Sequence, residues 1–343
     1  MTEKPLLQVN NLKTHFHTER GRITAVNGVT FSMQKGEIIG IVGESGCGKS
    51  VMSQSIVRLL DHSDAISYDG EVLFDNKDLL QLPYAKLRQI RGNDISIIFQ
   101  DPLTSLNPVY TVGEQIAEAL RLHQKLSRKA AMVKAVDMLR LTGIPSPERR
   151  VHDYPHELSG GMQQRAMIAI ALACEPRLLI ADEPTTALDV TIQAQILDLI
   201  AELNRKLGMG VLFITHDLGV VAEICSGVKV MYLGQIVEEM STERLFTAPR
   251  HPYTQGLIRS IPRMDGNRGE KLHVIEGTVP SLTDVPPGCR FATRCPYADE
   301  LCRTEEPPME RVQDDHGVKC WHHERIFEEG VDAHDGTGQR ADS

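Results

Sequence analysis

Eight consecutive residues have the types and spacing of a loop that holds phosphate. They are Gly43, Glu44, Ser45, Gly46, Cys47, Gly48, Lys49 and Ser50. Glycines let the backbone turn inward, so that successive N–H groups point at phosphate oxygens. Lys49 can reach the β- and γ-phosphates of a nucleoside triphosphate, and the hydroxyl of Ser50 can bind Mg²⁺. The loop therefore predicts binding of a nucleoside triphosphate with its magnesium ion.

Cys47 lies inside this loop, beside Lys49 and the expected start of a helix. A positive charge and a helix N-terminus both favour the thiolate form of a cysteine. We therefore expect a lowered thiol pKa, and a cysteine that reacts with maleimide unless nucleotide protects it.

Two adjacent acids, Asp182 and Glu183, end a second apolar run, 178–181. A short uninterrupted apolar run predicts a fully buried strand of a parallel sheet. At its carboxyl end Asp182 can hold Mg²⁺, and Glu183 can orient and polarise an attacking water. Taken alone, the pair could equally be a helix N-cap and a solvated acid. The preceding phosphate loop favours the catalytic interpretation.

The segment 158–165 reads Leu-Ser-Gly-Gly-Met-Gln-Gln-Arg and precedes an apolar run, 166–174. From physics alone this is an ordinary helix start with Ser159 as its N-cap. Gly160 and Gly161 would leave helix-terminal N–H groups open to an anion. The segment resembles the signature motif of ABC-type ATPases. The resemblance implies that these three residues bind the γ-phosphate of ATP held by another subunit.

Further motifs of that family are present in order, and the resemblance spans about 6–240. Gln100 resembles the glutamine that contacts Mg²⁺ or water, and the segment 187–189 resembles the D-loop at the subunit interface. His216 follows an apolar run and resembles the switch histidine that contacts the γ-phosphate. The resemblance implies an α/β fold of the P-loop ABC ATPase type.

The base of the nucleotide needs an aromatic partner, because an aromatic face can stack on a base. Phe16 is the candidate by its position before the phosphate loop. The segment 18–24 lengthens the usual spacing, so His15 and His17 are alternatives nearer the base.

Composition limits the classes of function. The net charge is −9 and basic blocks are absent, which argues against nucleic acid as the main partner. The longest apolar stretches are far too short for a membrane span, and the N-terminus lacks a secretory pattern. The phosphate loop and signature each occur once, so two composite sites would need a second chain.

Alternation of residue types divides the chain into parts. Strands are expected at 6–16, 25–33 and 67–74, which form an antiparallel β portion, and a parallel-sheet α/β core follows. A helical subdomain is expected at about 108–157, with amphipathic helices at 112–123 and 128–141. These parts form a nucleotide-binding domain, 1–240. A C-terminal extension, 241–325, and a disordered tail, 326–343, complete the expected organisation.

Four of the seven cysteines cluster in the extension, at Cys289, Cys295, Cys302 and Cys320. Clustered cysteines in a reducing cytosol suggest metal ligation rather than disulfides. Their intervals fit neither a paired zinc ribbon nor a bacterial ferredoxin run. Spacing alone leaves zinc and an iron–sulfur cluster open, beside the alternative of four small buried side chains. His322 and His323 are possible substitutes in a zinc site.

The extension also resembles a known family. The segments 250–257, 277–280 and 287–298 are similar to the C-terminal extension of ATPases from oligopeptide, dipeptide and nickel importers. The closest resemblance is to the dipeptide/oligopeptide permease ATPase of the first type. It implies a [4Fe–4S] cluster on the four cysteines, which we expect to be structural.

The resemblance further implies a peripheral ATPase on the cytoplasmic face of the inner membrane that powers peptide uptake. Its implied partners are a second related ATPase or an identical copy, two membrane permease subunits and an extracytoplasmic peptide-binding protein. Nickel or opine uptake is the main alternative. A soluble ABC ATPase of repair or translation, and a redox module centred on the cysteines, are further alternatives.

Overall fold

The computed structural model describes residues 4–19, 21–61, 65–185, 189–261 and 274–327. The strands in these ranges are β1 Leu7–Thr18, β2 Gly21–Met33, β3 Ile38–Val42, β4 Ile66–Phe74, β5 Lys77–Asp78, β6 Ile95–Ile98, β7 Leu178–Asp182, β8 Gly210–Thr215, β9 Gly227–Tyr232, β10 Gln235–Ser241, β11 Glu310–Gln313 and β12 His316–Val318. The α-helices are α1 Lys49–Ile56, α2 Tyr84–Ile90, α3 Pro102–Ser105, α4 Val112–Gln124, α5 Arg128–Leu141, α6 Pro147–Arg150, α7 Gly160–Leu172, α8 Val190–Leu207, α9 Leu218–Ile224, α10 Thr242–Thr247, α11 Pro252–Arg259 and α12 Glu300–Thr304.

The central sheet has eight strands in the order β11-β12-β10-β9-β3-β8-β7-β6. The strands from β9 to β6 are parallel, and every residue of β3, β7 and β8 is buried. Such uninterrupted apolar strands suit the middle of a sheet that is covered on both faces. The expected parallel sheet is mixed, however, because β10, β12 and β11 pair antiparallel at one edge.

The expected antiparallel β portion is confirmed as a second sheet, with the order β2-β1-β4-β5. Side chains of β3 alternate between the two faces of the central sheet. Ile39 and Ile41 pack with the second sheet and α1, whereas Ile38 and Val42 pack in the core that includes α4, α5 and α7. The phosphate loop that follows β3 is therefore anchored in both hydrophobic cores.

The two amphipathic helices expected in the helical subdomain are confirmed as α4 and α5. Thr111 and Glu114 form a capping box at the start of α4, and the Ser127 hydroxyl accepts the Ala130 N–H at the start of α5. These side chains satisfy N–H groups that have no partner within their own helix. The local sequence therefore sets where both helices begin.

The end of the extension is part of the central sheet, because β12 pairs with β10. This pairing was not expected for a separate unit that begins at 241. Ile326 is buried, and the guanidinium of Arg250 lies over the ring of Phe327. The rest of the expected tail, 328–343, lies outside the described residues. Within the described ranges, no helix has the length and apolarity required to cross a membrane.

Candidate functional site

The phosphate loop connects β3 to α1, and its glycines have backbone conformations that other residues rarely adopt. Gly43, Gly46 and Gly48 have φ values of 155°, 79° and 103°. A Cβ atom on Gly43 would lie 2.2 Å from the carbonyl oxygen of Met231. Only glycine therefore lets the chain turn so tightly against β9.

Lys49 lies at the first position of α1, and its side chain is turned into the loop. Its ammonium donates hydrogen bonds to the carbonyl oxygens of Gly43 at 2.7 Å and Glu44 at 3.1 Å. The residue is only 5% exposed, so its charge lies in a poorly hydrated position. A buried ammonium surrounded by loop backbone is a strong attractor for a phosphate group.

Asp182 and Ser50 are adjacent, as expected for two ligands of one magnesium ion. The Ser50 hydroxyl donates to Oδ1 of Asp182 at 3.1 Å, and Ser53 donates to Oδ2 at 3.4 Å. Burial raises the pKa of Asp182, and the charge of Glu183 raises it further. A divalent cation would offset both effects. This oxygen donor set fits Mg²⁺, which prefers carboxylate and hydroxyl oxygens to softer ligands.

Glu183 brings three predicted site residues together. Its carboxylate accepts a hydrogen bond from Nε2 of Gln100 at 2.8 Å and lies 3.5 Å from Nδ1 of His216. The same carboxylate lies 3.7 Å from the ammonium of Lys49. The φ value of Glu183 is +48°, and its N–H donates to the carbonyl oxygen of Ile214. This unusual backbone conformation aims the carboxylate at the phosphate loop.

The expected lowering of the Cys47 thiol pKa is wrong. Its side chain is fully buried in the core that also contains Ile41, Met52 and Met231. Burial raises the thiol pKa and outweighs the charge of Lys49, which acts in the opposite direction. The backbone N–H of Lys49, at the helix start, also lowers the thiol pKa, but burial has the larger effect.

The signature residues lie at the start of α7 and are accessible. Ser159 occupies the N-cap position, but its hydroxyl makes no capping hydrogen bond. Ser159 and Gly160 are exposed, and a Cβ on Gly160 would meet no atom within 4 Å. In the described part of the chain, no hydrogen bond joins Ser159, Gly160 or Gly161 to the phosphate loop.

The structure describes some of the remaining motif residues and the candidates for stacking on the base. Asp189 caps α8 by accepting the N–H of Ile192, whereas Ala187 and Leu188 lie outside the described residues. Phe16 is half-buried on β1, and its stacking on a base stays a prediction. His15 is buried and bonded to Thr24 and Asp69, so its ring is not free to stack.

His17 is bonded to Ser67 on the exposed side of β1. Its ring is accessible, unlike that of His15.

The sequence did not predict two contacts at the site. Nε2 of Gln164, on α7, donates to the carbonyl oxygen of Pro184, the residue after Glu183. The guanidinium of Arg294 binds both carboxylate oxygens of Glu44, at 2.6 and 3.1 Å. Neither contact has a local sequence signal, because the partners are far apart in the chain.

The four clustered cysteines line one cavity of the extension, together with His251 and Phe291. None forms a disulfide. Burial raises the pKa of all four thiols, to about 11 for Cys295 and about 12 for Cys320. Among the described residues, however, no three of these thiols lie within 4.8 Å of one another, so a metal centre on the four cysteines stays a prediction. The donor set suits zinc or iron.

The histidines near the cluster already have partners. His322 is paired with Asp299 at 2.9 Å, and His323 with Glu310 at 2.9 Å. Ligand atoms of Asp299, Cys302 and His322 lie within 4.8 Å of one another. His322 therefore remains a candidate ligand, whereas His323 points to another part of the extension.

The fold and the site define an ATP-binding cassette of the P-loop class. A model of the ABC transporter family matches residues 26–186, and one for the oligopeptide/dipeptide transporter C-terminal region matches residues 237–302. A dimeric ATP-binding cassette, MJ0796, bound to ADP and Pi has a TM-score of 0.62 at 30% identity and covers 69% of this chain and 98% of its own. The cassette cbiO1 of Clostridium perfringens has a TM-score of 0.59 at 30% identity, over 71% of this chain and 92% of its own.

Full-length relatives are more similar. A probable peptide ABC transporter ATP-binding protein of Sinorhizobium fredii is 55% identical over 92% of this chain and 94% of its own length. The dipeptide transport ATP-binding protein DppD of Bacillus subtilis is 53% identical over 95% of this chain and 97% of its own length. The chain belongs to the ABC transporter ATP-binding proteins that carry the oligopeptide/dipeptide transporter C-terminal region, and it is an ATPase.

Proposed function

We propose that this chain binds and hydrolyses ATP to power the uptake of dipeptides or oligopeptides by an ABC importer. The position of the Glu183 carboxylate is the main support for ATP hydrolysis. It lies among Lys49, Gln100 and His216, which are the groups expected around a γ-phosphate and its attacking water. The peptide substrate is inferred from the family region at residues 237–302 and from the relatives DppD and OppD of Bacillus subtilis.

Each residue then has a separate task. Loop amides and Lys49 hold the phosphates and stabilise the charge that develops on the transferred group. Ser50 and Asp182 hold Mg²⁺, with Gln100 beside it. Glu183 orients and polarises the attacking water, and His216 contacts the γ-phosphate. Phe16 stacks on the adenine base.

The ATP site is completed by a second ATPase subunit, either a related chain or an identical copy. This proposal is supported by the exposure of Ser159 and Gly160 and by the unused hydroxyl of Ser159. A helix N-terminus with free N–H groups attracts an anion. ATP held by one phosphate loop would thus be covered by the signature residues of the partner.

Two permease subunits provide the membrane spans and dock near Gln100. An apolar cavity of about 250 Å³ lies between β6 and α7, and its lining includes Phe99, Leu106 and Ile170. Nearby segments expose Val109 and Tyr110, at 71% and 53%. Exposed apolar groups beside a groove are typical of a protein docking site. The chain would therefore work at the cytoplasmic face of the inner membrane, with peptide delivered by an extracytoplasmic binding protein.

The four cysteines hold a [4Fe–4S] cluster, with zinc as the alternative. The extension contains few long apolar runs, and coordination would supply the stability that a small core cannot. In this assignment the role of the cluster is to hold the extension together. The domains proposed are the cassette 1–240, the extension 241–325 and the tail 326–343.

Reconstitution of the complete transporter tests the function. The chain is combined with its permease subunits, partner ATPase and binding protein in lipid vesicles, and uptake of labelled dipeptide and of Ni²⁺ is measured with ATP. We expect ATP-dependent peptide uptake that is absent with Glu183→Gln. Uptake of Ni²⁺ without peptide would contradict the substrate, and absence of ATP hydrolysis would contradict the function altogether.

A further inference from the structure

The second residue of the phosphate loop is held by the C-terminal extension. Both carboxylate oxygens of Glu44 accept hydrogen bonds from Arg294, at 2.6 and 3.1 Å. The N–H of Glu44 donates to the hydroxyl of Tyr253 at 2.8 Å. A residue at the start of the loop is therefore fixed through its side chain and its backbone by two residues more than 200 positions later in the chain.

Arg294 is itself held firmly. Its side chain is 3% exposed, and it also donates to the carbonyl oxygens of Ile275 and Glu276. The guanidinium lies over the rings of Tyr232 and Phe291. A planar guanidinium that is bonded at its edge and stacked on its face loses little further freedom when it binds a carboxylate.

The charge of Glu44 makes this contact important for nucleotide binding. A carboxylate within a loop that binds a triphosphate repels the ligand, and the repulsion is strong where water is scarce. The two bonds to Arg294 neutralise the carboxylate and direct it towards the extension. Arg294 also directly precedes Cys295, so the folded cysteine region determines where the guanidinium lies.

We propose that Arg294 is a positioning residue for the phosphate loop, so that affinity for Mg-ATP depends on the C-terminal extension. This proposal rests on the proposed function, since it assumes that the loop binds ATP. Arg294 acts through Glu44 and does not contact the nucleotide. Tyr253 assists by fixing the first turn of the loop through the Glu44 N–H.

The test is a double-mutant cycle on the purified full-length chain, with a fluorescent ATP analogue and Mg²⁺ as the probe. Arg294→Ala should raise the Kd about tenfold, because charge-assisted bonds of this kind are lost and Glu44 is left uncompensated. Adding Glu44→Gln to Arg294→Ala should restore most of the affinity, because the repelling charge is then removed. A purely structural role of Arg294 predicts no such rescue.

Arg303→Ala is the matched control. Arg303 is exposed and lies beside Cys302, as Arg294 lies beside Cys295. The Kd of the Arg303→Ala variant for the ATP analogue, and its metal content, should equal those of the wild type. Metal content is measured for every variant, so that loss of the cysteine centre is not mistaken for loss of the contact.

Several outcomes would overturn the proposal. An unchanged Kd for Arg294→Ala would show that the contact does not influence binding, and so would a double variant no better than the single one. If Arg294→Ala is insoluble, Arg294→Gln removes the same charge with a smaller loss of volume, and an unchanged Kd there is equally decisive. A wild-type chain that binds no Mg-ATP would instead overturn the proposed function itself.

Discussion

The ammonium of Lys49 lies 3.7 Å from Oε1 of Glu183, although the two residues belong to different strand-to-loop junctions. Lys49 follows β3 and Glu183 follows β7, with β8 between these strands in the sheet. The two side chains thus face one another across the carboxyl edge of the sheet. A γ-phosphate placed beside Lys49 would have the Glu183 carboxylate near its attacking water. Substitution of Lys49 should therefore weaken nucleotide binding, whereas substitution of Glu183 should slow hydrolysis.

Glu183→Gln should preserve binding of Mg-ATP and lower hydrolysis at least about 100-fold. Glutamine keeps the size of the side chain and its contact with Gln100, but it cannot accept a proton or polarise water as a carboxylate does. ATPase activity of the assembled transporter and nucleotide affinity are measured side by side. Hydrolysis near the wild-type rate would remove the assigned role of Glu183.

Lys49→Ala is the contrasting variant, and it should weaken nucleotide binding itself. Its ammonium is buried and hydrogen-bonded to the loop backbone, so its loss removes the positive charge assigned to the phosphates. The same affinity assay gives the result. Equal affinity for ATP in Lys49→Ala and in the wild type would exclude a phosphate-binding role.

Cys47 should react slowly with maleimide in the folded chain, and Mg-ATP should not change the rate. The thiol is fully buried and its pKa is raised, so neither access nor thiolate is available. Mass spectrometry of the peptide that contains Cys47 measures labelling with and without urea, and Cys47→Ser confirms the assignment of that peptide. Rapid labelling blocked by Mg-ATP would restore the reactive cysteine that the sequence suggested.

Glu238→Ala should destabilise the attachment of the extension by roughly 3–5 kcal/mol. The Glu238 carboxylate is fully buried and accepts hydrogen bonds from the N–H groups of Arg250 and His251, while His316 lies 2.8 Å away. The truncation leaves these two N–H groups and the His316 ring nitrogen without this hydrogen-bond partner. The shift of the urea unfolding midpoint measures the loss.

Glu202→Ala, on the exposed side of α8, is the control for that experiment and should change stability by less than about 0.5 kcal/mol. If both variants unfold at the wild-type midpoint, the buried carboxylate does not hold the extension in place.

The cysteine centre should contain about four irons and four sulfides per chain when the protein is purified without oxygen. Cys302→Ser should lose the metal, because each thiolate contributes to one shared centre. Cys174→Ser is the matched control, since Cys174 is buried elsewhere, near the carbonyl oxygen of Ala119. Stoichiometric zinc without sulfide would exclude the iron–sulfur cluster, and a folded metal-free extension would exclude both metals.

Local patterns predicted much of this fold. The bounds expected for α5, 128–141, are those observed, because Ser127 caps its start and the apolar spacing continues to its end. The meeting of Gln100, Glu183 and His216 also follows from local reasoning, because each comes after a strand of one sheet. The carboxyl ends of parallel strands lie at the same edge of their sheet.

Other features could not be predicted from local patterns. The burial of Cys47 depends on a core that also contains Met231, which is distant in the sequence. The contact between Arg294 and Glu44 joins residues 250 positions apart. The pairing of β12 with β10 was missed for the same reason, since a three-residue strand has almost no periodicity of its own.

The pairing of β12 with β10 has a consequence for the solubility of the isolated cassette. In a chain cut after Met240, the backbone N–H and C=O groups of β10 that now bind β12 would lie at an open sheet edge. Unpaired edges of this kind recruit strands from other molecules and lead to aggregation. The terminal strands therefore cover this part of the sheet edge, and we expect a cassette cut after Met240 to aggregate.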